Sequence, residues 1–582
     1  MRGAAQKSGN VQGCHRLLVN RWGGWAAHGL TSKPWHPPAK EVQLFWAAPP
    51  MRRLYPIRTI LLGAFLLVGL TLPVRAAITK GPYLQNPSPR AVSVQWETDE
   101  PGDPVARFML VLEGQRGPVQ TAAGRLHEKV AMDVAPRSPG TPAPAFYLYR
   151  ARLENLAPNT EYRYWAENSV EGKGAVASEP RAFRTWPAKA ERVTFIAYGD
   201  SRSNPEDHRA VARHFNSHSP DFILHTGDCV SSGNVYQAWG PEFFAPLADL
   251  LDHVPIFIAR GNHEGKAGNV LRLFDMPGGK TWYSFDYGPV HIVVLDSYEE
   301  GKTVLDWLEK DLAGSTAPWK IAAYHEPTFD LGGHRSDTGR ATFLPLFEKY
   351  GVDVVLTGHS HLYERFRPLR RASVPGARPI TFITTGGGGA RLHDVQQHPV
   401  LATTAEVHHY CVFAVDAERF SMQAFTDEDR ELDAFSVSKK EGRYDEAYLA
   451  QARPMEAAIL AQASARLDPP VLATLPSGSA PVAAVLKVDL PGLGPEIAIT
   501  VRVAHASADS YAAEPVALKI SAGKSAEVRL LVRALKPVAA ETTGKEQVLR
   551  PPLRLAISVS AAGLQETIES SDAVLNPPVP PK

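Results

Sequence analysis

Cysteine is scarce in this chain, three among 582 residues, which leaves no basis for a disulfide framework. Only Cys229 and Cys411 lie downstream of Ala76, and Cys229, directly after Asp228, reads as a small packing residue rather than a ligand. Net charge is nearly absent too. With 62 basic and 61 acidic residues the balance is +1, so the chain carries no electrostatic footprint for nucleic acid, and any phosphate binding has to be local. No internal repeat is evident. The apolar stretch Thr59–Leu72 is short of the roughly 20 residues that a spanning helix needs, so no stable transmembrane anchor is expected.

That stretch has another reading. Met51-Arg52-Arg53 opens a basic segment, the apolar run follows, and Val74-Arg75-Ala76 offers small residues at a cleavage point. This is the pattern of a secretory signal peptide, residues 51–76, with cleavage expected after Ala76 and a secreted or periplasmic destination. A signal belongs at a chain terminus, so Met51 is read as the initiator and residues 1–50 as a spurious or disordered extension.

The remaining length exceeds one core and implies roughly three or four domains. Val92–Trp96, Tyr147–Leu153 and Tyr162–Trp165 alternate apolar and polar residues, the mark of a half-buried antiparallel sandwich over 77–187 ending in a strand Arg181–Thr185. Trp186–Lys189 reads as a short linker into a central domain, 188–435. Glu446–Ala465 reads as a helix broken at Pro454, within a connector 436–467. Alternation resumes in Val516–Ile520, Ala526–Val532 and Leu553–Val559, giving a second β-sandwich-like domain, 468–582, with a Pro-rich tail.

The chemistry is concentrated in the centre. Five short motifs each follow an apolar run: Gly199-Asp200 after Val193–Tyr198, Gly227-Asp228 after Asp221–Thr226, Gly261-Asn262-His263-Glu264 after Val254–Arg260, Tyr324-His325 after Trp319–Ala323, and Gly358-His359-Ser360-His361 after Val352–Thr357. Runs of that length and composition read as buried strands. Each therefore delivers its polar residues at the carboxyl end of a strand, the edge where open α/β sheets bind ligands. Asp, Asn and His supply oxygen and imidazole donors suited to zinc, iron or manganese. Two such ions about 3.5–4 Å apart can bind a phosphate ester, activate a water and stabilise the leaving oxygen.

The order and spacing of these motifs resemble the calcineurin-like metallophosphoesterases, and Gly358–Arg365 is similar in particular to the purple acid phosphatase branch. Gly81–Gln85 and Leu156–Tyr162 resemble that branch's fibronectin-type-III-like N-terminal domain. The resemblance implies an α/β fold, a four-layer α/β/β/α sandwich flanked by the two β domains, and two divalent or trivalent transition metal ions. It implies that Asp228 bridges the ions, that Asp200 and His361 hold the first, and that Asn262, His325 and His359 hold the second. His263 would contact the phosphate, and His334, nine residues after His325, would protonate the leaving alkoxide.

Two positions depart from the branch. Arg202 stands where the purple enzymes have glycine and many relatives a metal-binding histidine, and Ser231 replaces the tyrosine that would bind iron, so no charge-transfer colour is expected. The first ion is thus one protein ligand short. His208, at the start of an expected helix Glu206–Phe215, either completes it or lies on a solvated face; Arg202 either forms a structural ion pair or neutralises phosphate. Arg335 replaces a second leaving-group histidine. Glu364 and Arg365 read as braces of the histidine loop, and His408-His409 as structural.

The expected function is hydrolysis of a phosphate monoester by metal-activated hydroxide. The alternatives are a phosphodiesterase on the same site and a surface-binding protein with a degenerate metal centre.

Overall fold

Alternation decides which way each central strand faces. In Val290–Val294, Trp319–Ala323 and Val354–Thr357, the side chains of Ile292, Val294, Ile321, Ala323, Val354 and Leu356 enter one hydrophobic core. Their immediate neighbours Val293, Ala322 and Val355 enter another. Period-two patterning with both faces apolar forces a sheet covered on both sides. The structure, a computed structural model, describes residues 76–131, 145–372, 374–462, 464–468, 482–489, 497–503, 511–520, 526–534, 555–561 and 564–569. The expected signal peptide 51–76, apart from Ala76, the expected extension 1–50 and the Pro-rich tail lie outside the described residues.

The sheet holding those strands has seven, in the order Tyr283–Tyr287, Val290–Val294, Trp319–Ala323, Val354–Thr357, Thr381–Thr385, Tyr363–Phe366 and Leu401–Ala405. Helices Lys302–Gly314 and Phe343–Tyr350 bridge its parallel strands and lay Val304, Leu308, Leu312, Phe343 and Phe347 on its outer face. A second seven-stranded sheet runs Ile256–Ile258, Phe222–His225, Arg192–Tyr198, His409–Asp416, Arg419–Thr426, Glu431–Lys440 and Arg443–Tyr444. Its first three strands are parallel, with Phe195 paired to Phe222 and Ile223 to Ile256. The two sheets share the larger core, which includes Phe195, Phe222, Ile292, Trp319 and Leu356. Helix Pro205–Ala212 adds Val211 and Ala212 to it. The result is the α/β, sheet-rich four-layer architecture that the resemblance implies.

Three of the five strands, Phe222–His225, Ile256–Ile258 and Val354–Thr357, are shorter than the apolar runs that announced them. Val254–Arg260 pairs only over Ile256–Ile258, because the residues after Ile258 turn out of the ladder toward the loop of Asn262.

The described residues of 78–184 form nine antiparallel strands. They are joined to the central sheets by more than the connecting chain. Tyr83 packs on Phe244 with ring centroids 4.9 Å apart and donates to the Leu273 carbonyl at 2.6 Å. Arg150 pairs with Asp275 at 2.6 Å, and Ser93 donates to the same carboxylate. Trp186 is no free linker: it is buried and meets Tyr287 edge-on at 4.7 Å. Downstream, Arg453–Pro454 separates the helices Glu446–Gln451 and Met455–Ala461, and two four-stranded sheets follow. Among the described residues no helix is long and apolar enough to cross a membrane.

Candidate metal centre

Five strand ends deliver the donors, three from each sheet: Asp200, Asp228 and Asn262 from one, His325, His359 and His361 from the other. The loops are tight enough to place Asp200, Asp228 and His359 at φ of 58°, 57° and 67°. Left-handed backbone at a side-chain-bearing residue costs about 1–3 kcal/mol and persists where surrounding contacts over-determine it. Here they do. Asp200 donates its N–H to Gly227 O at 2.9 Å, and its Oδ2 accepts from the His359 N–H at 2.8 Å. Glycines at 261 and 358 are required by close approach, since a Cβ at either would strike the carboxylate of Asp228 or Asp200.

Glu264 ties two of the loops together. Its carboxylate is buried and accepts from the N–H groups of Asp228 (2.9 Å), Gly261 (2.7 Å) and Cys229 (2.8 Å). Burial, and next the Asp228 charge, push its carboxyl up to about 7.

Tautomers follow from the partners, because a carbonyl can only accept. His325 Nδ1 donates to Thr226 O at 2.9 Å, and His361 Nδ1 donates to Arg391 O at 2.6 Å, so each presents Nε2 to the centre. His359 presents Nδ1. Burial lowers His359 and His361 to about 3, leaving their lone pairs free to coordinate. In the ion-free chain His325 behaves differently: burial opposes its charge, but Asp228 outweighs it and holds the imidazole up to about 10, while Asp228 itself is held below the carboxylate range.

The donor set fits a transition metal. Asn262 Oδ1 lies 3.0 Å from His325 Nε2 and 3.1 Å from His359 Nδ1; those two nitrogens are 3.2 Å apart, and Asp228 Oδ1 is 3.4 Å from His325 Nε2. Metal–donor bonds of about 2.0–2.1 Å give edges of roughly 2.8–3.0 Å in octahedral sets and roughly 3.3–3.4 Å in tetrahedral ones, a range that spans these distances. Asp200 Oδ1 is buried with no hydrogen-bond partner, and Asp200, Asp228 and His325 bring donor atoms within 4.8 Å of one another. Asn262 is exposed while Asp228 and His325 are buried, so the centre opens to solvent on the Asn262 side.

Around this set, His263 donates through Nδ1 to Ser231 O at 2.6 Å, leaving Nε2 3.8 Å from Asp228 Oδ2. Ser231 turns its hydroxyl to Glu242 at 2.7 Å. Exposed His334 stands with its ring 5.1 Å from that of His359. Its loop is fixed by a relay: the His334 N–H donates to Ser360 Oγ (3.1 Å), which donates to Asp330 Oδ2 (2.9 Å). Glu364 accepts from Leu331 and Gly332 in the same loop, while Arg365 pairs with Asp433.

His208 is a correction. It is fully buried, with Nε2 against Tyr198 Oη and Nδ1 against Glu242 O, both at 2.9 Å. The expected solvated helix face is equally absent at this position. Both ring nitrogens are engaged away from the donor set, so His208 is a core histidine, and its helix, Pro205–Ala212, is shorter than expected. Arg202 does reach the centre, donating from Nε to Asp228 Oδ2 at 3.2 Å with Nη2 3.1 Å from His361 Nε2. Two contributors carried no signal in the sequence. His393 lies against His361 from the loop after Gly389, and Gln462 Nε2 donates to the Asp330 carbonyl at 2.8 Å from the far connector.

Residues 193–363 match the calcineurin-like phosphoesterase family. Among curated relatives, the chain is similar to purple acid phosphatase 15 of Arabidopsis thaliana, 25% identical over 42% of this chain and 54% of the relative. It is also similar to acid phosphatase type 7 of Homo sapiens, 28% identical over 41% and 62%. A third relative, 25% identical over 53% and 59%, is named a probable inactive purple acid phosphatase 1 of Arabidopsis thaliana. The chain thus spans between half and two thirds of the length of these relatives. A purple acid phosphatase from yellow lupin (Lupinus luteus) seeds shares the fold, with a TM-score of 0.53, 18% identity, and coverage of 63% of this chain and 75% of that one. The chain therefore contains a calcineurin-like phosphoesterase domain within a purple acid phosphatase-like metallophosphoesterase fold.

Proposed function

We propose that this calcineurin-like phosphoesterase domain makes the chain an exported, metal-dependent phosphohydrolase acting on phosphate monoesters. The observation that carries the reading is the gathering of Asp228 Oδ1, Asn262 Oδ1, His325 Nε2 and His359 Nδ1 at 3.0–3.4 Å, on the solvent-open side of the centre. Zinc, iron or manganese bound there supplies Lewis acidity toward phosphoryl oxygens and water.

The chain's own groups do the rest. Arg202 carries a planar fork of donors that suits a phosphoryl oxygen. His263, its Nδ1 held by Ser231 O, offers Nε2 to the same group. As water adds at phosphorus and gives up a proton to solvent while the bond to the alcohol oxygen breaks, His334 gives that oxygen a proton from its ring and regains one from solvent. A mobile, exposed loop would place that proton poorly, and the Ser360–Asp330 relay holds the loop in position. Export rests on the segment 51–76 and on the kinship with acid phosphatases.

The test is hydrolysis of nitrophenyl phosphate against its bis ester, by the metal-loaded chain and by Asp228→Ala. The expected result is monoesterase activity lost in the variant. Faster cleavage of the bis ester makes the enzyme a phosphodiesterase. Activity unchanged in Asp228→Ala ends the metal-centre reading, and a parent chain that binds metal yet hydrolyses neither ester is a surface-binding protein.

A further inference from the structure

Resting on that reading, we infer that Arg202 takes the place of the first metal ion, so that the centre holds one transition metal and one guanidinium. The two cation positions are built differently. The position between Asp228, Asn262, His325 and His359 has four donor atoms whose mutual contacts are donor to donor, with no Lys or Arg side chain between them.

The other position has three donors, Asp200, Asp228 and His361, and Arg202 already spans two of them. Its Nε donates to Asp228 Oδ2 at 3.2 Å, and its Nη2 donates to His361 Nε2 at 3.1 Å. That second assignment is forced, because His361 Nδ1 is spent on the Arg391 carbonyl and only the Nε2 lone pair remains. Asp228 thus bridges a metal position through Oδ1 and a guanidinium through Oδ2.

Among the described residues, nothing nearby completes a first metal site. Ser231 turns to Glu242, His208 is bound by Tyr198 and Glu242, and His393 Nδ1 accepts from the His361 N–H at 3.0 Å. Charge argues the same way. A second divalent ion at this position would stand against a guanidinium that cannot be deprotonated and that already holds two of its three donors. Two of the five N–H groups of Arg202 are engaged, which leaves donors for a phosphoryl oxygen. Arg202 is therefore both the second cation and a clamp for substrate.

The test is metal stoichiometry of the full chain, stripped with a chelator and reloaded with manganese. Wild type is expected to bind one equivalent per chain with an uncoupled paramagnetic signal, lost in Asn262→Ala and kept in His361→Ala. Arg202→His, which puts an imidazole where the third donor is missing, is expected to bind two. Two tight equivalents in wild type, a spin-coupled signal, or a single equivalent lost in His361→Ala and kept in Asn262→Ala overturns the inference and leaves the hydrolase reading standing. No binding at all overturns both.

Discussion

His393 lies flat against His361, ring centroids 4.0 Å apart and planes inclined by 18°, while its Nδ1 accepts the His361 backbone N–H at 3.0 Å. The pairing fixes His393 as the Nε2–H tautomer and holds the His361 ring at the angle from which Nε2 meets Arg202. His393→Ala should lower kcat/KM about tenfold, as losses among partners of such donors do. His393→Asn, whose carbonyl can accept the same N–H, should recover most of it. Equal losses in both variants would show that the stacked ring, not the acceptor, matters.

Glu264 accepts three buried N–H groups across two loops. Glu264→Ala strands them, at about 1–3 kcal/mol each before relaxation, so a fall in Tm on the order of 10 °C is expected by calorimetry. Glu264→Gln, keeping one acceptor oxygen, should lose about half as much.

Metal binding must displace the proton that Asp228 holds on His325, whose imidazole titrates at about 10 in the ion-free chain. One proton released per ion makes the affinity weaken about tenfold for each pH unit lost below that value. Titration calorimetry in two buffers of different ionisation enthalpy should give a release of about one proton at pH 7.5. A release near zero would contradict the pairing.

His291 reports on stability away from the centre. Burial opposes its charge, but hydrogen bonds to Asp286 (2.8 Å) and Asp311 (2.9 Å) outweigh this and raise the imidazole to about 9. Because the folded chain holds this proton more tightly than the unfolded one, its stabilising contribution is complete below about pH 6.5 and is lost as pH rises through about 9. Thermal melts of wild type should show that decline, and His291→Gln should flatten it.

The loop that carries His334 is pinned from a distance by Gln462, which donates to the Asp330 carbonyl at 2.8 Å and to Ser336 O at 3.1 Å. Gln462→Ala should reduce kcat and, because it also removes an acceptor of the buried Arg340 guanidinium, lower the Tm by a few degrees. A kcat that does not move would show that the Ser360 relay suffices.

Much of this was legible in the sequence because buried strands end at, or within two residues of, the ends of their apolar runs. Ala323 closes a strand, so His325 has to lie at the sheet edge; the same reasoning places Asp200, Asp228, Asn262 and the His359 loop. His208 was not legible, since its fate depends on Tyr198 Oη and the Glu242 carbonyl, groups from two other segments that capture both nitrogens. His393 sits in a stretch without periodicity and Gln462 at the end of the connector helix, and their roles arise from contacts 32 and 132 residues away in sequence. The reach of Arg202 was open at the level of sequence for the same reason: a long side chain four residues past a strand end can turn toward substrate or toward its neighbours.

Half of the coordinating groups are rooted in one sheet and half in the other, with the large shared core beneath them. An ion gripped by both would therefore act as a rivet through two layers, and a ligand held about a thousandfold above its Kd adds about 4 kcal/mol to the folded state. Stripping it should loosen the seam between the layers before it unravels either one, so amide exchange at the strand ends near Tyr198 and Ala323 is where starvation for metal would first be felt.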